Sequence, residues 1–281
     1  MNKNLISKKI LNSINELKDQ KKRKENNQTF AEGINILKSC LENNVEIKYL
    51  IVDKNQFNKN KEIYEKVNDS KIYYLDEQTL SRLSSTKTSY SCITVFKIPD
   101  IITEISKKNI NNPNDNFLNE IKQYLNTKSY ITGLYQISDP GNLGTIIRTS
   151  IGFKQDNMII FSPHCDPFSP KVIRSTSGAI FKIKKIFCID EDVSLNFLDI
   201  IKNKSIRIVL AEKTEGNDII SKSNIFPSLI IFGNEGRGFD SRIRNLKDIS
   251  FTIPQSNDIE SYNLSVSHGI ISFALYSLLT K

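Results

Sequence analysis

The 281-residue sequence has no tryptophan, two histidines (His164 and His268) and four cysteines (Cys40, Cys92, Cys165 and Cys188). No two cysteines stand at Cys-x-x-Cys spacing, and the histidines complete no ligand pattern with them. That excludes a zinc module and a dithiol redox motif, and no metal site is expected. The thiols read as reduced groups in or near a core, as in a cytoplasmic protein. No run approaches the ~20 apolar residues of a membrane span, so no membrane association is expected. The run at 11–17 is broken by Asn12, Ser13, Asn15 and Glu16 and does not read as a secretion signal. The Gly-x-x-x-x-Gly-Lys-Ser/Thr and Gly-x-Gly-x-x-Gly patterns are also missing, which argues against a nucleoside triphosphate or dinucleotide site.

What is present is a basic surplus, 39 Lys and Arg against 31 Asp and Glu. Alone it fits either an anionic partner or plain solubility. Its position is more telling, because residues 1–26 carry eight basic side chains against three acidic ones, with Lys21, Lys22, Arg23 and Lys24 in succession. The length allows two modest domains. Helical spacing over 6–41 (Ile10, Ile14, Leu17, Ile34, Leu37, Leu41), then strands at 47–52 and 71–75, predicts a small α/β domain over 1–97. Residues 98–128 include Asn109, Asn111, Asn112, Pro113, Asn114, Asp115 and Asn116 and read as a polar linker that packs poorly. Strand-length apolar runs at 130–136, 158–161, 184–189, 206–211, 229–232 and 250–253 then alternate with helical stretches. The alternation predicts an α/β domain over 129–281, with a mainly parallel sheet, helices on both faces and ligands at the carboxyl ends of the strands. The stretch 263–279 is apolar nearly all round and requires burial, in its own core or against a partner.

Three of the strands run into loops dense in Gly, Asn, Pro and acid. In the first, Asp139-Pro140-Gly141-Asn142-Leu143-Gly144, Asn142 is suited to cap a helix opening at Leu143, and Gly144 lies one turn before Arg148. An ordinary strand-to-helix turn with a surface arginine reads the same way. The second, Gly233-Asn234-Glu235-Gly236-Arg237-Gly238, sets three glycines around one carboxylate, for close approach of a ligand or simply for a turn. The third leads from Ile253-Pro254 to Ser261-Tyr262-Asn263-Leu264, where Ser261 or Asn263 can cap the last helix.

In this order the loops resemble the three motifs of the SpoU/TrmH family of RNA ribose 2′-O-methyltransferases, within the knotted SPOUT superfamily, over roughly 130–279. The matching residues are Asp139, Pro140, Asn142, Gly144 and Arg148, then Gly233, Glu235 and Gly238, then Ile253, Pro254, Glu260, Ser261, Asn263 and Ser265. Gln255, Asn257 and Tyr262 depart from the Met, Gly and Leu usual in the third motif. Lys21–Glu25 with Phe30-Ala31-Glu32-Gly33, and Leu83-Ser84-Ser85-Thr86-Lys87-Thr88, resemble the family's substrate-binding domain more weakly.

The resemblance implies a deep trefoil knot, a homodimer, and S-adenosylmethionine as cofactor at Gly233, Gly238, Ile253, Tyr262, Asn263 and Leu264. It implies catalytic roles for Arg148, Asn142 and Glu235. A guanidinium resists deprotonation, so Arg148 is expected to clamp a phosphate or the developing alkoxide rather than act as a base. Asn142 would orient the hydroxyl or Arg148, and Glu235 would hold that arrangement or accept the proton. The implied partner is RNA, ribosomal rather than transfer RNA, met by Lys21, Lys22, Arg23, Lys24 and Arg148. The alternatives are a non-catalytic RNA-binding or ribosome-assembly protein on the same fold, a transfer RNA ribose methyltransferase, and a knotted base methyltransferase.

Overall fold

The described residues fold into two separate units, each built on its own sheet. The computed structural model describes residues 6–84, 91–111, 116–213 and 225–280; Lys3, Ser85, Thr86, Lys87, Thr88, Asn112, Pro113, Asn114 and Asp115 lie outside them. One unit is Met1–Asp100 with Asp166–Lys182, and the other is Ile101–Cys165 with Ile183–Lys281. Among the described residues no helix is long and apolar enough to cross a membrane.

The first unit holds a four-stranded sheet of β1 (Gln28–Glu32), β2 (Ile47–Asp53), β3 (Ile72–Leu75) and β4 (Cys92–Lys97), in the order β1-β4-β2-β3. β4 is antiparallel to both its neighbours, and β2 and β3 are parallel. Ile14 and Leu17 pack on Phe30, Ile51, Ile93 and Val95 in its core. The helical expectation for 6–41 is corrected here. Asn27 ends the helix Gln20–Asn26 in the left-handed region (φ 48°), and the chain then runs extended as β1 before the helix Ile34–Glu42. Asn tolerates that conformation because its short polar side chain bonds locally.

Among the described residues, the second unit is built on seven strands, all paired in parallel: β5 (Ile102–Ile105), β6 (Tyr130–Tyr135), β7 (Asn157–Phe161), β8 (Lys185–Ile189), β9 (Arg207–Ala211), β10 (Ser228–Phe232) and β11 (Ile249–Phe251). Their order is β11-β9-β10-β6-β7-β8-β5. The expectation of a poorly packing linker at 98–128 is also corrected. Ile102–Ile105 pairs with β8, and the helix Phe117–Lys128 sends Phe117, Ile121, Tyr124 and Leu125 into the core. Those four recur at helical spacing, so the burial comes from the flanks of the Asn-rich turn. From β6 the chain runs outward through β7 and β8, then crosses to β9 and inserts β10 beside β6. This reversal makes the β6/β10 crevice the switch point where ligands bind in such sheets.

The last helix, Leu264–Leu279, buries His268, Ile271, Ser272 and Leu275 and leaves Val266, Ile270, Phe273, Leu278 and Leu279 exposed. His268 is fully buried, with Nε2 3.4 Å from Thr132 Oγ1, 3.3 Å from Ser150 Oγ and 3.2 Å from Ser272 Oγ. Burial pushes its pKa down to about 3. The folded protein therefore keeps this ring neutral where the unfolded chain, titrating near 6.5, takes up a proton. Its contribution is complete above pH 6.5 and falls by about 1.4 kcal/mol per pH unit as the pH drops from there toward 3. Urea unfolding between pH 7.5 and 4.5 should accordingly show a shallower acid loss in His268→Gln, and parallel curves for the two proteins would remove His268 from the acid response.

Candidate active site

The first loop leaves β6 and turns into the helix Pro140–Gly152. Its cap is Asp139, whose Oδ1 accepts from Asn142 N at 2.7 Å, with Pro140 at the first helical position. This corrects the expectation that Asn142 caps a helix opening at Leu143. Proline needs no N–H partner and fits the first turn, so the helix opens three residues earlier and the Asn142 side chain is released from capping.

The second loop leaves β10 and closes on itself through Asn234 N to Gly238 O (3.1 Å) and Gly238 N to Asn234 O (3.0 Å). Asn234 Nδ2 donates to Gln136 O at 2.8 Å and ties this turn to the first loop. A Cβ at Gly233 would stand 3.0 Å from the Gly238 carbonyl carbon and 3.1 Å from the Phe239 ring, so any side chain there presses on the facing backbone. Gly238 itself has φ 62°, which favours glycine.

The turn delivers Glu235 to the amino end of the Pro140–Gly152 helix. Its carboxylate accepts from Ser138 N (3.4 Å), Ser138 Oγ (3.1 Å), Asp139 N (3.3 Å) and Asn142 Nδ2 (3.3 Å). Burial pushes its pKa up, yet the donors on its own backbone, Asn142, Asp139 and Ser138 outweigh that and hold it below the usual carboxylate range. The positive end of the helix dipole acts in the same direction.

The third loop follows β11. Gln255 Nε2 donates to Ile259 O (3.3 Å) and Glu260 O (2.9 Å), closing the loop with one of the three residues that depart from the motif. Asn263, not Ser261, caps the last helix, its Oδ1 accepting from Ser265 N (2.9 Å) and Ser265 Oγ (2.7 Å).

The three loops enclose a cavity of about 770 Å³. Gly233, Gly238, Ile253, Tyr262, Asn263 and Leu264 all line it, as do Asn142 and Glu235. Arg148 does not: it is exposed, six residues beyond Asn142 on the same helix and so about 9 Å further along the axis. Three charged residues of the lining, Glu212, Lys213 and Arg244, were not singled out from the sequence. Glu212 follows the apolar β9 directly, as the other site loops follow their strands, and that was the available signal.

Lys21, Lys22 and Lys24 are exposed on the helix Gln20–Asn26. Arg23 is 4 % exposed and turned inward, which corrects its assignment to RNA. Its Nη1 donates to Leu17 O (2.9 Å) and Lys18 O (3.0 Å), and its Nε and Nη2 to Asp166 Oδ2 (2.9 and 2.6 Å). With four of its five N–H donors engaged and the side chain buried, this guanidinium is not presented to a phosphate in solvent.

Comparison with known proteins gives a consistent result. The model of the SpoU rRNA Methylase family matches residues 129–273, and that of an MRM3-like substrate binding domain matches residues 8–94. An uncharacterized tRNA/rRNA methyltransferase of Borreliella burgdorferi is 32 % identical over 60 % of this chain and 73 % of its own length. The 23S rRNA (guanosine(2553)-2'-O)-methyltransferase RlmP of Bacillus subtilis is 23 % identical over 92 % of each chain. The AdoMet-bound rRNA methyltransferase from Sinorhizobium meliloti shares the fold, with a TM-score of 0.72 at 22 % identity over 97 % of this chain and 95 % of the other.

Proposed function

Because the chain belongs to the SpoU rRNA methylase family, we infer that it transfers the methyl group of S-adenosylmethionine to a ribose 2′-hydroxyl of ribosomal RNA. The observation that carries this reading is the Asn142–Glu235 pair at the wall of a cavity formed by all three motif loops. The cavity suits the cofactor: its volume is that of a small-molecule site, it has apolar walls at Phe232, Phe251, Ile253 and Leu264, and Gly233 keeps the turn beside it closely packed. Backbone groups at Gly233, Ile253 and Tyr262 would hold the adenosine. The cofactor supplies a sulfonium methyl to in-line attack by the ribose oxygen, and what the protein must add is position and charge stabilisation.

Asn142 Nδ2 donates to Glu235, so its Oδ1 is the atom turned to accept from a hydroxyl. Glu235, held ionised by its donors, fixes that orientation and is a poor proton acceptor. Arg148 clamps a phosphate or the nascent alkoxide with a charge that does not titrate. The trefoil knot belongs to the same reading, with β10 inserted between β9 and β6 and all three loops on one cavity. Incubating unmodified total RNA with labelled cofactor, separating ribosomal from transfer RNA and analysing nucleosides tests the assignment. Label in a 2′-O-methylnucleoside of ribosomal RNA is expected; label only in transfer RNA, only in a base, or nowhere overturns it.

The protein acts as a homodimer through the exposed face of the last helix. Val266, Ile270 and Phe273, the last 63 % exposed, form an apolar surface that water disfavours. Phe273→Lys should give a monomer in sedimentation equilibrium, and a variant that still sediments as a dimer places the interface elsewhere.

RNA is met by Lys21, Lys22 and Lys24 of the first unit. Replacing all three with Ala should weaken RNA binding and flatten its salt dependence by about 0.7 in log–log slope for each phosphate no longer neutralised, with unchanged thermal stability. Arg23→Ala should instead cost about 3 kcal/mol of stability, because it strands the Asp166 carboxylate. Unchanged RNA affinity in the triple variant would take this helix out of the RNA site.

A further inference from the structure

Among the described residues, the charged ones that line the cavity are Asp139, Glu212, Lys213, Glu235, Arg244 and Glu260, four acids and two cations. The ligand inferred for the site is cationic at sulfur and at its amino group and anionic only at its carboxylate. A carboxylate brought among four acids needs a cation, and among the described residues the choice is between Lys213 and Arg244.

Arg244 is the one that is built in. Its Nε donates to Glu212 Oε2 at 3.1 Å. Glu212 is only 11 % exposed and is itself fixed by Lys247 Nζ (2.5 Å) and Ser250 Oγ (2.9 Å) on Oε1, while Thr252 Oγ1 holds its backbone carbonyl at 3.0 Å. Burial pushes the Glu212 carboxyl up, and Lys247, Ser250 and Arg244 together bring it below its ordinary range. The Arg244 side chain remains 52 % exposed, with Nη2 3.8 Å from where a Cβ would stand on Gly238. The guanidinium is thus held by its Nε edge beside a residue that has no side chain to cover it. A planar fork anchored in this way suits a carboxylate, with which it can form two parallel hydrogen bonds.

We propose that Arg244, positioned by Glu212, binds the amino-acid carboxylate of S-adenosylmethionine. The proposal rests on the cofactor assigned above, and it makes Glu212 a positioning residue. Calorimetry with S-adenosylmethionine and with decarboxylated S-adenosylmethionine, which keeps the sulfonium and the amine, tests it on the full-length protein without turnover. The wild type should prefer the intact ligand by roughly 10- to 100-fold, the range of a charge-assisted hydrogen-bonded pair. Arg244→Ala should remove that preference by weakening only the intact ligand, and Glu212→Gln should reduce it in part. Arg244→Ala leaves Glu212 with Lys247 and Ser250, so no carboxylate is stranded. Equal losses for both ligands would mean a structural role and overturn the proposal. So would an unchanged preference, including the case in which only RNA affinity falls. A wild type that binds neither ligand would instead refute the cofactor assignment.

Discussion

Arg148→Ala is expected to lower the rate of methyl transfer by about 10²–10³-fold, the scale of losing one donor to a developing oxyanion, while the affinity for S-adenosylmethionine stays within about twofold. The separation follows from place. Arg148 stands off the cavity lining, on the exposed side of the Pro140–Gly152 helix, six residues beyond the Asn142 that faces the cavity. Its removal therefore takes nothing from the cavity wall, whereas in the proposed role a phosphate or alkoxide would lose its cation. Arg148→Lys should recover a minor part of the rate, because an ammonium keeps the charge without the two-pronged geometry. Single-turnover methylation and calorimetry read the two quantities independently. A variant with near-normal single-turnover rate would exclude Arg148 from the reaction, and one that loses cofactor affinity in parallel would move it to the donor side.

Gly233→Val should act in the opposite sense, weakening S-adenosylmethionine by about tenfold or more. The atoms that a Cβ meets at 3.0–3.1 Å are the Gly238 carbonyl and the Phe239 ring. A backbone carbonyl cannot swing aside, so the overlap displaces the turn, at the 1–3 kcal/mol typical of overpacking. That turn carries Glu235, and the shift reaches the Asn142 pair as well. Gly236→Ala is the matched control, since its nearest neighbour is Asn234 Oδ1 at 3.9 Å. Unchanged affinity in Gly233→Val, or an equal loss in Gly236→Ala, would show that close packing of this turn does not shape the pocket.

The parallel sheet was the most legible part of the sequence. Six of its strands are predominantly apolar, which is what burial on both faces demands. β5 was hidden because its four residues adjoin an Asn-rich turn whose composition dominated the reading of the whole stretch 98–128. β1 was hidden for a related reason: flanking helices impose their period across it, and only Asn27 marks the break. In the site, the glycines and Asn263 announce themselves through composition. The Asp139 cap is visible only once Pro140 is weighed as a first-turn residue, and the Glu212–Arg244 pair joins residues 32 apart that no local pattern connects. Arg23 misled because consecutive basic residues look alike in a string, while a helix turns one of them inward.

The attribution of Asp166–Lys182 to the first unit sets an order of events during synthesis. Among the described residues, four buried polar groups of the first hundred find partners there: Arg23 with Asp166, Thr29 with Phe168 O, Glu32 with Arg174, and Ser39 with Gly178 O. At roughly 5–20 residues per second, the eighty-odd residues that separate Asp100 from Lys182 take about 4–16 s to emerge. Throughout that interval the amino-terminal sheet must keep a guanidinium and a carboxylate in water that the finished protein encloses. The unit that begins first on the ribosome is therefore completed only after β6 and β7 of the other have already left it.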